Sequence, residues 1–349
     1  TDMLINDLSQ QIKRKFLYKP TVEQEKAIKS FADFILSPSA DAIFVMKGYA
    51  GTGKTTLTGA LVKALEDLKY KCVLLAPTGR AAKVFARNAG HSAYTIHRRI
   101  YRQRVFSNET DNFTLNNNLH RQTLFIVDEA SMIANEGLSG TIFGTGRLLD
   151  DLIQYVYSGT NCKLMLIGDT AQLPPVGEEE SPALSPGILQ GYGLEVTECS
   201  LTQVVRQAEQ SGILYNATRL RQYIDAEDCF SLPRVRTAGF ADIRTITGNE
   251  LIDTLNECYE QAGTDETIVI CRSNKRANLY NNGIRNTILY REDELNSGDI
   301  LMIAKNNYYW GTGCKELDFI ANGDCGPLRA FGTCWAEKYF FPRTCHGKK

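Results

Sequence analysis

The chain has 349 residues, enough for two domains with separate cores, and its 43% hydrophobic and 23% charged residues are ordinary for a soluble globular protein. A formal net charge of −1 leaves the partner unspecified by global electrostatics, and no apolar run approaches the length of a membrane span. Ten cysteines in no C-x-x-C spacing, four histidines in no metal-ligand spacing and no recognisable signal peptide lead to the expectation of a reducing, cytoplasmic setting, no membrane and no structural zinc.

In chain order, the first half alternates helix and strand. PTVEQEKAIKSFADFIL (20–36) predicts an amphipathic helix opening after Pro20, with Thr21 as its cap. AIFVMKG (42–48) reads as a buried strand, 54–68 as a helix, KCVLLAPTG (71–79) as a strand and 80–88 as a helix. TLFIVDEA (123–130) is a strand, 147–157 a helix and KLMLIGD (163–169) a strand. Continuous apolar strands between helices indicate a parallel sheet covered on both faces. RQRVFSNETDNFTLNNN (102–118) differs: two polar, partly alternating runs around a Thr-Asp-Asn turn predict an inserted β-hairpin, at about 101–120. ADIRTIT (241–247) as a strand, 249–261 as a helix, TIVIC (267–271) as a strand and 274–288 as a helix predict a second α/β unit. Cys72 and Cys271 fall inside apolar, strand-like runs. The expected division is 1–234 and 235–349, with an atypical tail from about 325 in which neither period holds. From 68 to 108 there is no acid but there are nine Lys and Arg, which is either a solvated face or a polyanion-binding surface.

GYAGTGKTT (48–56) follows a buried strand, opens a helix and matches G-x-x-x-x-G-K-[ST]. Gly48, Gly51 and Gly53 let backbone N–H groups curl toward a phosphate, with Thr52 and Thr56 in the same stretch, and the helix N-terminus adds its dipole. Lys54 reaches the β/γ-phosphates and the Thr55 hydroxyl is a ligand for Mg²⁺. LFIVDEAS (124–131) puts Asp128 at the carboxyl end of a strand, where it holds Mg²⁺ through water, and Glu129 orients or deprotonates the attacking water. These two motifs point to nucleotide hydrolysis or transfer and leave open what it drives.

Seven stretches occur in one order: TVEQEKAI (21–28), GYAGTGKTT, APTGRAAKVF (76–85), TIHRRI (95–100), VDEASM (127–132), GDTAQLPPVG (168–177) and LTQVVRQ (201–207). Together they resemble superfamily 1 helicases of the 5′-to-3′ group, the RecD-like, PIF-type and phage Dda-type enzymes. The likeness is dense over 20–210 and continues more weakly through CRSNKRANLYNNGIR (271–285) to IANGD (320–324). It implies a P-loop NTPase fold with a RecA-like parallel sheet covered by helices, the hairpin as a strand-separating wedge, and a second, partial RecA-like domain. It implies ATP and Mg²⁺ as cofactors, with single-stranded DNA and forked or 5′-tailed duplex DNA as partners. A monomer acting at DNA inside the cell is expected.

By this resemblance Gln24 reads adenine, although three residues after Thr21 it also fits a capping box. Arg206 contacts the γ-phosphate as charge develops, the plainer reading being a surface salt bridge. Gln172 engages the γ-phosphate and its water, and Pro174 and Pro175 stiffen the link to the strand track while Leu173 and Val176 anchor it to the core. Pro77, Thr78, Gly79, Thr95 and His97 line that track, and Arg80, Lys83, Arg98, Arg99, Arg102 and Arg104 attract the phosphates. Phe106 or Phe113 is either an exposed stacking tip or packs the hairpin onto the domain.

The family's two later motifs, of Thr/His-Lys-Ser-Gln-Gly and Tyr-Thr-Ala-x-Ser/Thr-Arg type, have no match; RTCHGKK (343–349) is only faintly like the first. A truncated, divergent or altered carboxyl end is therefore expected, with nucleotide binding retained and processive unwinding by this chain not expected. A nucleic-acid-binding ATPase fragment without productive turnover and a PhoH-like P-loop ATPase are the alternatives.

Overall fold

Parallel pairing of six strands organises the amino-terminal part of this computed structural model, which describes residues 2–16, 18–103, 113–136, 143–203, 211–226, 232–264, 266–293, 295–303 and 325–328. The chain divides into two compact units, 1–207 with 303–324, and 208–302 with 325–349.

In the first unit, α1 (Asp2–Lys15) and α2 (Val22–Leu36) lead into β1 (Ala42–Gly48), α3 (Lys54–Asp67), β2 (Lys71–Ala76) and α4 (Gly79–Ala89). The short β3 (Ala93–Thr95) and α5 (Ile96–Ile100) follow, then an antiparallel pair, β4 (Tyr101–Gln103) with β5 (Phe113–Leu115). This pair is the base of the expected hairpin; its Thr-Asp-Asn turn lies outside the described residues. β6 (Thr123–Val127), α6 (Leu148–Tyr157), β7 (Lys163–Gly168), α7 (Pro186–Gly191) and β8 (Glu195–Leu201) complete the unit. The sheet order is β3-β2-β6-β7-β1-β8, all neighbours parallel.

Alternation along each strand sends successive side chains to opposite faces. Phe44, Met46, Leu124, Ile126, Met165 and Ile167 join Phe31, Leu57, Leu61 and Phe85 from α2, α3 and α4 on one face. Ile43, Val45, Phe125, Val127, Leu164 and Leu166 join Ile96, Leu149, Leu152 and Leu189 from α5, α6 and α7 on the other. Phe31 meets Phe44 edge-on at 5.6 Å between centroids, the geometry an aromatic quadrupole favours. Burying each such ring contributes about 1.5–3 kcal/mol.

One buried charge ties helix to sheet. α2 has no basic residue in its last turn, and Lys163, 6% exposed at the start of β7, supplies it. Its Nζ donates to the carbonyls of Phe34 (2.6 Å) and Ser37 (2.7 Å), satisfying groups that a helix end otherwise leaves open.

The second unit holds α8 (Gly212–Asp225), α9 (Leu251–Ala262), α10 (Asn274–Gly283) and an antiparallel pair, β9 (Ile300–Met302) with β10 (Cys325–Pro327). The strands expected at 241–247 and 267–271 do not form. An apolar run becomes a strand only where a neighbour takes up its ladder hydrogen bonds, and among the described residues neither run has one. Ile268 and Ile270 are accordingly 77% and 87% exposed, and Cys271 lies outside any strand. Within 241–247, Asp242 instead caps α8, accepting from the Gly212 and Ile213 N–H groups and the Ser211 hydroxyl. A second RecA-like sheet is thus not formed by the described residues of this unit. No helix among them is long and apolar enough to cross a membrane.

Asp299, 5% exposed, organises the end of the second unit. Burial pulls its carboxyl upward, but the Asn296 N–H and the Arg291 and Arg285 guanidiniums prevail and hold it at about 2. A carboxyl held below its unfolded value of about 4 stabilises the fold above that pH, and the contribution is lost as pH falls toward 2. Asp299→Asn should therefore lower the melting temperature of this unit at pH 7, and the gap to the parent should close between pH 4 and pH 2. Thermal melts followed by circular dichroism measure both.

Candidate active site

β7 lies between β1 and β6, so the carboxyl ends of three adjacent strands open on one edge of the sheet. At about 4.8 Å per strand spacing, the glycine loop after β1 and the acid pair after β6 are about 10 Å apart, with the β7 loop between them.

The glycine loop is held from several directions. Tyr49 N–H donates to Leu201 O at 3.3 Å, and the Thr52 N–H and hydroxyl both donate to Tyr49 O, at 3.3 and 2.8 Å. Gly51 and Gly53 take φ of 83° and 86°, the left-handed region that glycine enters without a Cβ clash. Gly48 packs against Leu201: a methyl added there would meet Leu201 O at 2.9 Å. Lys54 opens α3, and its ammonium donates back to Gly48 O (2.5 Å) and Tyr49 O (3.0 Å), which stations the charge over the loop. Thr55 and Thr56 follow on the first turn of α3, Thr55 half-buried and Thr56 exposed.

Gln24 forms both halves of the capping box. Its N–H donates to Thr21 Oγ1 at 3.2 Å, and Thr21 N–H donates to its Oε1 at 2.9 Å. Its Nε2 then donates to Thr52 O at 3.0 Å, from a side chain in a residue only 2% exposed. The start of α2 is thereby bonded to the floor of the glycine loop.

Asp128 directly follows β6 and extends the ladder through its N–H to Leu75 O at 3.0 Å. Burial, then the neighbouring Glu129 charge, push its carboxyl up to about 6, against the Glu129 N–H that donates to it at 3.0 Å and the Lys54 charge. Glu129 itself sits at φ 55°, ψ 38°, a left-handed conformation rare outside glycine and costing about 1–3 kcal/mol. The Asp128 carboxylate and Thr55 hydroxyl are hard oxygen donors. Among the described residues no three His, Cys, Asp or Glu side chains cluster to hold a metal by themselves. That donor set fits Mg²⁺, which takes one or two protein oxygens and completes its shell with phosphates and water.

The β7 loop is stapled to the segment after Glu129 at both ends. Ser131 Oγ donates to Gln172 Oε1 at 3.2 Å, and the buried Asp169 takes the Ala171 N–H at 2.9 Å. At the far end, Glu178 Oε1 accepts from the N–H groups of Asn135 (2.5 Å) and Glu136 (2.8 Å). Leu173 and Val176, expected as core anchors, are 88% and 93% exposed. The rigid pair Pro174 and Pro175 between them keeps either from folding back under the loop, so polar staples hold it instead. The sequence carried little sign of these staples: Glu178 is one of three successive glutamates, and Ser131 looked like part of the acid motif.

The residues expected along a strand track separate into two groups. Thr78 caps α4, accepting from Ala81 N–H at 3.2 Å, between the half-buried Pro77 and the buried Gly79. Thr95 is fully buried and caps α5, accepting from Arg98 N–H at 3.2 Å; the surface contact expected of its hydroxyl gives way to this cap. His97 packs against Phe143 (5.0 Å) and Tyr101 (5.6 Å), and burial holds its imidazole below its ordinary value, partly opposed by Asp151. Phe113 stacks on Phe143 at 4.5 Å, so it packs the hairpin base onto the domain. Arg98 lies over the Tyr94 ring at 5.6 Å, and Arg80 and Arg102 are exposed. Arg206, Arg104 and Phe106 lie outside the described residues.

The model of the AAA domain family matches residues 20–223. Among curated proteins, the ATP-dependent RecD2 DNA helicase of Deinococcus radiodurans is 33% identical over 178 residues, 50% of this chain and 21% of that protein. The ATP-dependent DNA helicase dda of Enterobacteria phage T4 is 26% identical over 270 residues, 74% of this chain and 56% of that protein. The chain thus spans about a fifth and just over half of their lengths. Among solved structures, a Pif1 helicase from Bacteroides in complex with ADP-AlF3 and ssDNA aligns at a TM-score of 0.42 and 19% identity, over 82% of this chain and 61% of that one.

The contact at Gly48 makes the glycine loop testable. Gly48→Ala places its methyl against backbone that cannot move aside, so nucleotide affinity should fall at least about tenfold, near 1.4 kcal/mol, while circular dichroism keeps the helix and strand signal. Unchanged binding of a fluorescent ATP analogue would show that the loop tolerates the methyl.

Proposed function

Because the chain belongs to the AAA domain family, and resembles within it superfamily 1 helicases of the RecD and PIF type, we propose that it is an ATP-driven motor moving 5′-to-3′ on single-stranded DNA. One observation carries this reading: the β7 loop, lying between the lysine loop and the acid pair, is bonded to the segment that bears Glu129. A change at the phosphate is thus felt by an exposed loop that carries two prolines.

The chain's own groups divide the work. Backbone N–H groups of residues 48–53 cradle the phosphates, and Lys54 exchanges its loop carbonyls for the β/γ-phosphate oxygens. Thr55 and Asp128 would hold Mg²⁺, which would supply positive charge against the phosphates. Glu129 takes the proton of the attacking water or orients it. The Ser131 hydroxyl fixes the oxygen side of the Gln172 amide, leaving the N–H₂ side for the γ-phosphate or its water. Arg206 meets the charge that develops there. Pro174 and Pro175, with Pro77, Thr78 and Arg98, touch the strand, and phosphate contacts of this kind position it without reading sequence. Forked or 5′-tailed duplex DNA is the substrate in this reading, and the motor works as a monomer at DNA inside the cell.

Stimulation of ATPase by single-stranded DNA tests the reading. The parent should be stimulated; Lys54→Ala should lose about 100-fold or more in kcat. Gln172→Ala should keep ATP affinity and lose most of the stimulation. Indifference of the parent ATPase to DNA would sink the motor, and DNA binding without turnover would favour a binding fragment.

A further inference from the structure

At the opposite edge of the sheet, where β2, β6 and β7 begin, lies a cavity of about 570 Å³ that the nucleotide chemistry does not use. A six-residue strand spans about 20 Å, so this cavity stands a full strand length from the glycine loop. Its walls contain Lys69, Lys71, Arg121 and Lys163, and no Asp or Glu. Lys163 is committed to the carbonyls at the end of α2. The other three are exposed, and among the described residues none has a carboxylate partner. Three cations facing one concave space repel one another unless an anion joins them.

Two further observations point the same way. Lys69, Gln122 and Asn161 take φ of 57°, 45° and 52°, so the three turns that enter these strands all hold non-glycine residues in the left-handed region. Such backbone persists where surroundings over-determine it, often at ligand sites. Beside the cavity, burial first, then the Arg99 and Lys71 charges, hold the His120 imidazole below its ordinary value. The lining also offers the Tyr70 ring with Ile35, Leu68 and Pro38, apolar surface that inorganic phosphate would not need. A volume of this size lies in the range of small-ligand sites, about 300–1,000 Å³.

We propose that this cavity is a second phosphate site, taking a nucleotide unit whose phosphate bridges Lys69, Lys71 and Arg121 and whose base lies against Tyr70. The unit comes from a free mononucleotide or from the phosphorylated end of a strand. The inference does not depend on the motor reading, because none of these residues belongs to the glycine loop or the acid pair.

Amine-reactive labelling with mass-spectrometric readout tests it, since Lys69 and Lys71 report on this cavity whatever occupies the glycine loop. The probes are AMP, a 5′-phosphorylated trinucleotide and polyglutamate. Protection of both lysines by AMP and trinucleotide supports the site. Protection by AMP alone assigns it to free nucleotide, and by trinucleotide alone to a strand end. Arg121→Glu, an exposed position, should raise the probe concentration for half-protection at least tenfold, and Lys71→Glu should do the same for protection of Lys69. Absence of protection by both nucleotide probes overturns the proposal. So does equal protection by polyglutamate, which reduces the cavity to a surface of general positive charge.

Discussion

Everything at the carboxyl edge of the sheet depends on where β7 is inserted. Parallel pairing with β1 on one side and β6 on the other fixes the lysine loop and the acid pair two strand spacings apart. That separation leaves room for a phosphate chain and forces the β7 loop to lie beside it. A parallel strand buried on both faces cannot slip by one residue without exchanging Met165 and Ile167 for Leu164 and Leu166, which would turn each set into the wrong core. The position of Gln172 is therefore set by packing far below it.

Much of this was legible in the sequence, for identifiable reasons. β1, β6 and β7 are unbroken apolar runs, and the glycine loop and Asp128 sit directly at their ends. What escaped reading was short or amphipathic. In β8, EVTECSL has no continuous apolar run, yet it pairs along the whole length of β1 and supplies the carbonyl that holds Tyr49. β3 and α5 are three and five residues long, too short for any period to show. The runs at 241–247 and 267–271 failed in the other direction: their composition suits strands, but a strand is a property of a pair. Leu173 and Val176 misled for a related reason, since hydrophobicity argues for burial only when the backbone can turn toward the core.

Hydroxyl groups teach the same lesson at the site. Thr21, Thr78 and Thr95 stand in motifs associated with ligand contact, and each side chain is spent on the first turn of a helix. A threonine before a helix has two available uses, and the sequence does not distinguish them. Here the caps set the directions of α2, α4 and α5. His97 is comparable: Tyr101 four residues on and Phe143, distant in sequence, make it part of a packed cluster rather than an open stacking surface.

Lys163 gives the first unit a mechanical property. Through it the end of α2 is fastened to the foot of β7, while Gln24 fastens the beginning of α2 to the glycine loop and the top of β7 carries the loop bonded through Gln172 to Ser131 and through Glu178 to Asn135. α2 is thus tied at both of its ends, to the glycine loop and to the foot of β7. That double attachment opposes shear of α2 across the sheet that carries the site.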